Sequence, residues 1–238
     1  LVFAGGSAFG LAAADGVMAE LAAAGRGHPT PAGPVPIVPA AILYDLFVGA
    51  NAPPDAAAGA SAFRAATAEP VVLGSVGAGT GATVSKWKGL EGMRKAGIGS
   101  AATRVGTATI GVLAAVNAVG DVVDLDGTWI TGSPTLPPPQ VEGFRENTTL
   151  VAVVTDALLS KSDLLRLAVR SHDALATTLR PAHTRYDGDI VFAVSCGEEQ
   201  TDLDVLGEAA FGTVAASIIS SVKEATPLAG IQVAHDDG

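Results

Sequence analysis

Cysteine is almost absent: the 238 residues hold one, Cys196. A single thiol builds neither an internal disulfide nor a cysteine-rich zinc site, so nothing points to an oxidising compartment and the cytoplasm is the expected one. Aromatic residues make up only 5%, and basic side chains are scarce, 14 Lys+Arg against 24 Asp+Glu for a formal net charge of -10. Phosphate backbones are held by clustered Lys and Arg that release counterions, so nucleic acid is not an expected partner. Also lacking is an unbroken apolar run of the roughly 18 to 20 residues that a membrane helix needs, and no membrane partner is expected. The chain opens at Leu1, with neither Met nor a basic leader, straight into the apolar-small run of residues 1–6. It is expected to begin inside a fold, with further residues upstream. What is present is apolar mass: 48% hydrophobic over this length suffices for one large domain, 1–238.

Punctuation and periodicity give an order of elements. Residues 4–10 are glycine-rich and 11–24 are mostly Ala, Leu, Met and Glu, which predicts strand, turn and helix. Repeated prolines across 28–39 predict a loop, residues 40–48 a short strand or buried segment, and 51–70 a helix that Pro53 and Pro54 introduce. Residues 107–123 are β-branched and small, and Asp124-Leu125-Asp126-Gly127 supplies the turn of a hairpin toward Thr128-Trp129-Ile130. A proline-bearing loop, 132–147, precedes a buried-type strand from Thr148 to Val154. A helix over 160–179 with Ser160 as its cap, a strand over 190–194 and a helix from Asp204 to about Ala225 complete the chain. Strands and helices mix without strict βαβ alternation, which favours stacked sheets with helices outside: an α+β fold.

The familiar catalytic signatures are missing. No G-x-S-x-G elbow is present, and the four histidines, His28, His172, His183 and His235, form no H-E-x-x-H pair. His183, close to Asp187, reads as a solvated loop histidine. Gly77-Ala78-Gly79-Thr80-Gly81-Ala82 formally satisfies the dinucleotide fingerprint, so an NAD(P)-binding oxidoreductase using Gly77, Gly79 and Ala82 stands as an alternative function. The same run also reads as a loop needing positive φ, or as a set of amides able to hold an oxyanion.

The junction Asn147-Thr148 carries more chemistry. A hydroxyl residue opens a buried strand after a long loop, as expected where a chain cuts its own backbone to release an N-terminal nucleophile. An ordinary loop-to-strand step and an N-x-T glycosylation sequon are competing readings of the same residues. Asp187 and Asp189, two apart, project together if the segment is extended, and a nearby like charge raises the pKa of one of them. A turn is the competing reading there.

Several segments together resemble the P1 family of peptidases (S58), which includes the D-aminopeptidases, β-peptidyl aminopeptidases and nylon-oligomer endo-hydrolase. They are residues 4–11, 42–45, 77–86, 116–120, 147–149 and 186–194, in the family's order across the whole chain. The resemblance implies an αββα sandwich of the self-processing N-terminal-nucleophile type. It implies cleavage between Asn147 and Thr148 into 1–147 and 148–238, with Thr148 as nucleophile and Asn117 as oxyanion donor. Tyr44 and Lys86 match the tyrosine and lysine lining the site, and Asp187 and Asp189 match the paired aspartates of the nylon-hydrolase branch. The aminopeptidase branch tends to carry Ser and Glu at that pair, and often a Ser nucleophile. A small peptide or amide is the implied substrate, no cofactor or metal is called for, and a homo-oligomer, with a tetramer compatible, is expected. A relative that keeps the fold and never cleaves itself is the other alternative.

Overall fold

The structure, a computed structural model, describes residues 1–140 and 146–234; part of the loop expected over 132–147, and His235, lie outside them. The first half runs β1 (Val2–Ala4), α1 (Ala12–Ala23), β2 (His28–Thr30), β3 (Gly33–Val35), β4 (Ala40–Ile42), α2 (Ala56–Ala65), β5 (Thr83–Val84), β6 (Arg94–Lys95), β7 (Ile98–Val105), β8 (Ala108–Asn117) and β9 (Asp121–Val122). Then come β10 (Thr148–Ala157), α3 (Lys161–Thr178), β11 (Leu179–Arg180), β12 (Ile190–Glu199) and α4 (Leu203–Lys223).

The central sheet has the order β12-β10-β8-β7. β10 runs parallel to β12 and antiparallel to β8, which turns back on β7 through Gly106 at φ 62°. Side chains alternate between its faces. Ile110, Val112, Ala114 and Val116 of β8, with Val151 and Val153 of β10, join Leu167, Leu175, Leu206 and Ile218 of α3 and α4 in one core. Ala115 and Leu150 point the other way, toward Leu43 and Ala82, with Phe3 and Ala41 packed against them. Each such fully buried aliphatic side chain stabilises the fold by roughly 1.5–3 kcal/mol. Beyond that second core lie the parallel pair β1–β4 and then α1 packed on α2. The layers are therefore helices, sheet, sheet, helices, the second sheet reduced to two strands.

Capping explains where the helices begin. Ser160 accepts from the Asp163 amide and the Asp163 carboxylate reaches back to the Ser160 amide, a reciprocal box that opens α3 as the sequence predicts. Asp202 accepts from the amides of Asp204 and Val205 and opens α4, and Asp55 does the same for α2. α4, with 21 residues, is long and apolar enough by length and composition to cross a membrane. Here it lies in the core, with Leu206, Ala210, Val214, Ile218 and Val222 buried.

Three expectations are corrected. The proline-rich stretch is not all loop: β2 and β3 pair as a small hairpin, His28 opposite Val35. Residues 107–123 split into β8 and β9, and the turn at residues 124–127 closes on a single Val123–Trp129 bridge rather than a full hairpin. The helix expected over 51–70 occupies only Ala56–Ala65.

Candidate active site

The register of three strands assembles the site. Thr148 lies directly opposite Asn117 on β8, and residues so paired project to the same face. On the other flank, the parallel pairing of Leu150 with Ile190 continues backward to a bridge between Asn147 and Asp187. Asp187-Gly188-Asp189 therefore runs alongside Asn147-Thr148-Thr149, extended rather than turned.

At the centre is the Asn147 carbonyl oxygen. The Thr148 hydroxyl donates to it at 2.6 Å, and the Gly188 amide donates to the same oxygen at 2.6 Å. Asn147 is itself anchored, its backbone N–H and side-chain amide both donating to the Tyr186 carbonyl. A Cβ at Gly188 would sit 3.1 Å from Thr148 Oγ1, close enough to press on the Thr148 side chain.

Asn117 is wholly buried and its amide orientation is set by its neighbours. Oδ1 accepts from the Thr83 amide (3.1 Å), the Thr83 hydroxyl (3.3 Å) and Lys86 Nζ (2.9 Å), while Nδ2 donates to the Tyr44 carbonyl at 3.0 Å. Tyr44 thus meets this group through its backbone, with its ring lying against Phe47. Lys86 is only 2% exposed, and burial pushes its ammonium down to about 7 against the opposing pull of Asp187. Burial and the neighbouring Asp189 raise the Asp187 carboxyl above its ordinary range, although Thr184 and the Val119 amide donate to it. Asp189 accepts the Thr149 amide at 2.8 Å on Oδ1 and lies 2.8 Å from His183 Nδ1 through Oδ2.

The glycine run does not form a dinucleotide site. It makes a 3-10 turn and passes into β5, so no helix N-terminus faces a pyrophosphate. Three of its amides are spent on the loop itself, Gly79 on Val76, Thr80 on Gly77 and Ala82 on Gly79. The loop is organised by Lys95, fully buried, whose Nζ donates to the carbonyls of Gly79, Ala82 and Ala96. A cleft of about 740 Å³ opens between β1, α1 and α2, walled by Phe3, Val17, Phe63, Gly77 and Gly81 and by none of Tyr44, Lys86, Asn117, Asn147, Thr148, Asp187 and Asp189.

Of the residues the sequence singles out, Asn117, Lys86, Asn147, Thr148, Asp187 and Asp189 converge, and Tyr44 joins them by its carbonyl. His183 is not a free loop histidine; it is bonded to Asp189. Sequence reasoning missed Gly188, Thr83 and Lys95. Gly188 had a visible signal in its place between the two aspartates, whereas Thr83 and Lys95 had none beyond nearness to the glycine run. Among the described residues no group of three or more His, Cys, Asp or Glu side chains is arranged to hold a metal ion.

The family model described as peptidase family S58 matches residues 1–235. A protein named an uncharacterised aminopeptidase, from Mycobacterium tuberculosis, is 39% identical over 275 aligned residues, covering 99% of this chain and 77% of its own length. The 6-aminohexanoate-oligomer endohydrolase of Paenarthrobacter ureafaciens is 30% identical over 221, covering 83% of this chain and 60% of its own. Among solved structures, a Burkholderia beta-aminopeptidase superposes with a TM-score of 0.69 at 22% identity, over 93% of this chain and 66% of that one. The l-aminopeptidase d-ala-esterase/amidase of Ochrobactrum anthropi, described as a variant among the Ntn hydrolase fold, gives 0.66 at 22% identity, over 93% and 67%. These superpositions show that the four-layer fold is shared with both structures.

Proposed function

This chain belongs to peptidase family S58, and from that membership we propose that it is a self-processing amide hydrolase whose nucleophile is Thr148, freed by cutting its own Asn147–Thr148 bond. The observation that carries the reading is the convergence of two donors on one oxygen: Thr148 Oγ1 and the Gly188 N–H, each 2.6 Å from the Asn147 carbonyl oxygen. The nucleophile already touches the group it is to attack, and the Gly188 amide waits where negative charge develops.

In the first stage Thr148 Oγ1 bonds to the Asn147 carbonyl carbon as its proton leaves, and the oxygen becomes an oxyanion held by Gly188. The C–N bond then breaks, a proton passes to the Thr148 nitrogen, and the resulting ester is hydrolysed to an Asn147 carboxylate and a free Thr148. Lys86, brought to about 7, can take up or release a proton near neutral pH, and the Asp187 carboxyl beside it is raised above its ordinary range by burial. The freed α-amine, with an ordinary pKa of about 7.7–8.0, then serves as base when the Thr148 hydroxyl attacks a substrate amide. Asn117, opposite Thr148, supplies an N–H toward the substrate oxyanion, a donor of the kind whose loss costs roughly 2.7–4 kcal/mol of transition-state stabilisation. The substrate class is a small peptide or linear amide, and the working protein is a homo-oligomer.

The test is the intact mass of the denatured protein after incubation at neutral pH. Wild type is expected to give two fragments, the second beginning at Thr148, and Thr148→Ala a single uncut chain without hydrolase activity. Cleavage that persists in Thr148→Ala overturns the mechanism, and a wild type that stays whole makes the chain an uncleaved, non-catalytic relative.

A further inference from the structure

A short line of side chains leads from α3 to the nucleophile. His172, on α3, has Nδ1 3.3 Å from His183 Nε2, and the two rings lie 5.0 Å apart. His183 Nδ1 is 2.8 Å from Asp189 Oδ2, and Asp189 Oδ1 accepts the amide of Thr149, the residue after the nucleophile. A carboxylate only accepts, so His183 Nδ1 donates to Asp189 Oδ2, while its Nε2 faces His172 Nδ1. Burial, and then the neighbouring His183, lower the pKa of His172. The Asp189 side chain is 2% exposed, so both of its oxygens depend on protein partners rather than water.

We propose that His183 is a positioning residue for the self-cleavage: it holds Asp189 in place, and Asp189 in turn holds the Thr149 amide, fixing the peptide on the far side of the scissile bond. The proposal rests on the reading of Thr148 as nucleophile. His183 touches neither Thr148 nor the Asn147 carbonyl; it acts through Asp189. Its own backbone is unusual. At φ 51° it lies in the left-handed region, which glycine enters freely and asparagine tolerates better than most residues. That conformation supplies a clean pair of variants. His183→Gly keeps the backbone and removes the donor; His183→Asn keeps the backbone and sets an amide N–H near the place of Nδ1.

The experiment follows cleavage of the freshly translated full chain at neutral pH by time-resolved mass, with thermal melts of each Thr148→Ala-blocked variant to compare folding. His183→Gly is expected to cleave about 10- to 100-fold more slowly, the range that a loosened attack geometry produces, while melting as a folded protein. His183→Asn is expected to recover to within about 3-fold of wild type. Cleavage of His183→Gly at the wild-type rate, or His183→Asn as slow as His183→Gly, overturns the positioning role while leaving Thr148 as nucleophile. A wild type that does not cleave, or a Thr148→Ala chain that does, overturns both readings together.

Discussion

Lys86 shows how burial sets the chemistry of a single side chain. Its ammonium is enclosed beside Asn117, and the cost of desolvating the charge brings it to about 7 from an ordinary 10.5. Between those values the unfolded chain binds a proton that the folded chain does not, so this group's contribution to stability rises with pH across that window. Lys95, lowered to about 8 by the same cause, acts in the same direction. The expected outcome is that the melting-temperature difference between wild type and Lys86→Met grows in favour of wild type from pH 7 to pH 10, measured by calorimetry. A difference constant over that range contradicts the assignment. The residues of the site were unevenly legible in the sequence. Thr148 and the two aspartates announce their chemistry by type and order. Thr83 reaches Asn117 from 34 positions away, and His183 meets Asp189 from a backbone of positive φ, neither of which spacing reveals. Gly188 contributes a backbone amide, which no side-chain pattern records.

Elements were read best where local physics and tertiary packing agree. The reciprocal cap of Ser160 and Asp163, followed by apolar residues at helical spacing, marks α3 unambiguously, and the unbroken apolar run after Thr148 marks β10. β7 gives a weak sequence signal because its middle, Gly99 to Ala102, is all small residues without alternation, the β-branched Ile98, Thr103 and Val105 standing at its ends. Its small residues serve the helix above it. A Cβ on Gly99 would lie 1.9 Å from the Ser217 carbonyl oxygen of α4, and the Ser217 hydroxyl donates to the Gly99 carbonyl. α4 and β7 therefore meet backbone to backbone, and the sheet's alignment over the site depends on that contact. Gly99→Val is expected to lower unfolding stability by about 3 kcal/mol or more, since neither backbone can withdraw without disturbing the core, as chemical denaturation will show. A loss within about 0.5 kcal/mol would mean that the two elements are free to slide apart.

Across the whole molecule, the proposed cut falls at the edge of the most internal strand. β10 is flanked by β8 from the segment before the cut and by β12 from the segment after it, and α4 lies across β7 and β8. The main core draws Ile110, Val112 and Val116 from one side of the bond and Val151, Leu175 and Ile218 from the other. The fragments 1–147 and 148–238 are therefore expected to elute together in native gel filtration and to separate only under denaturant; independent elution would show that the sheet does not bind them. The interleaving also changes the molecularity of folding. Before the proposed cut, each subunit unfolds and refolds as one covalent chain. After it, the same subunit would be two chains made from a single translation product. Recovery from unfolding then becomes a second-order encounter whose success depends on dilution. The proposed cleavage would act as a ratchet, leaving the shape intact while the protein loses its easy route back to it.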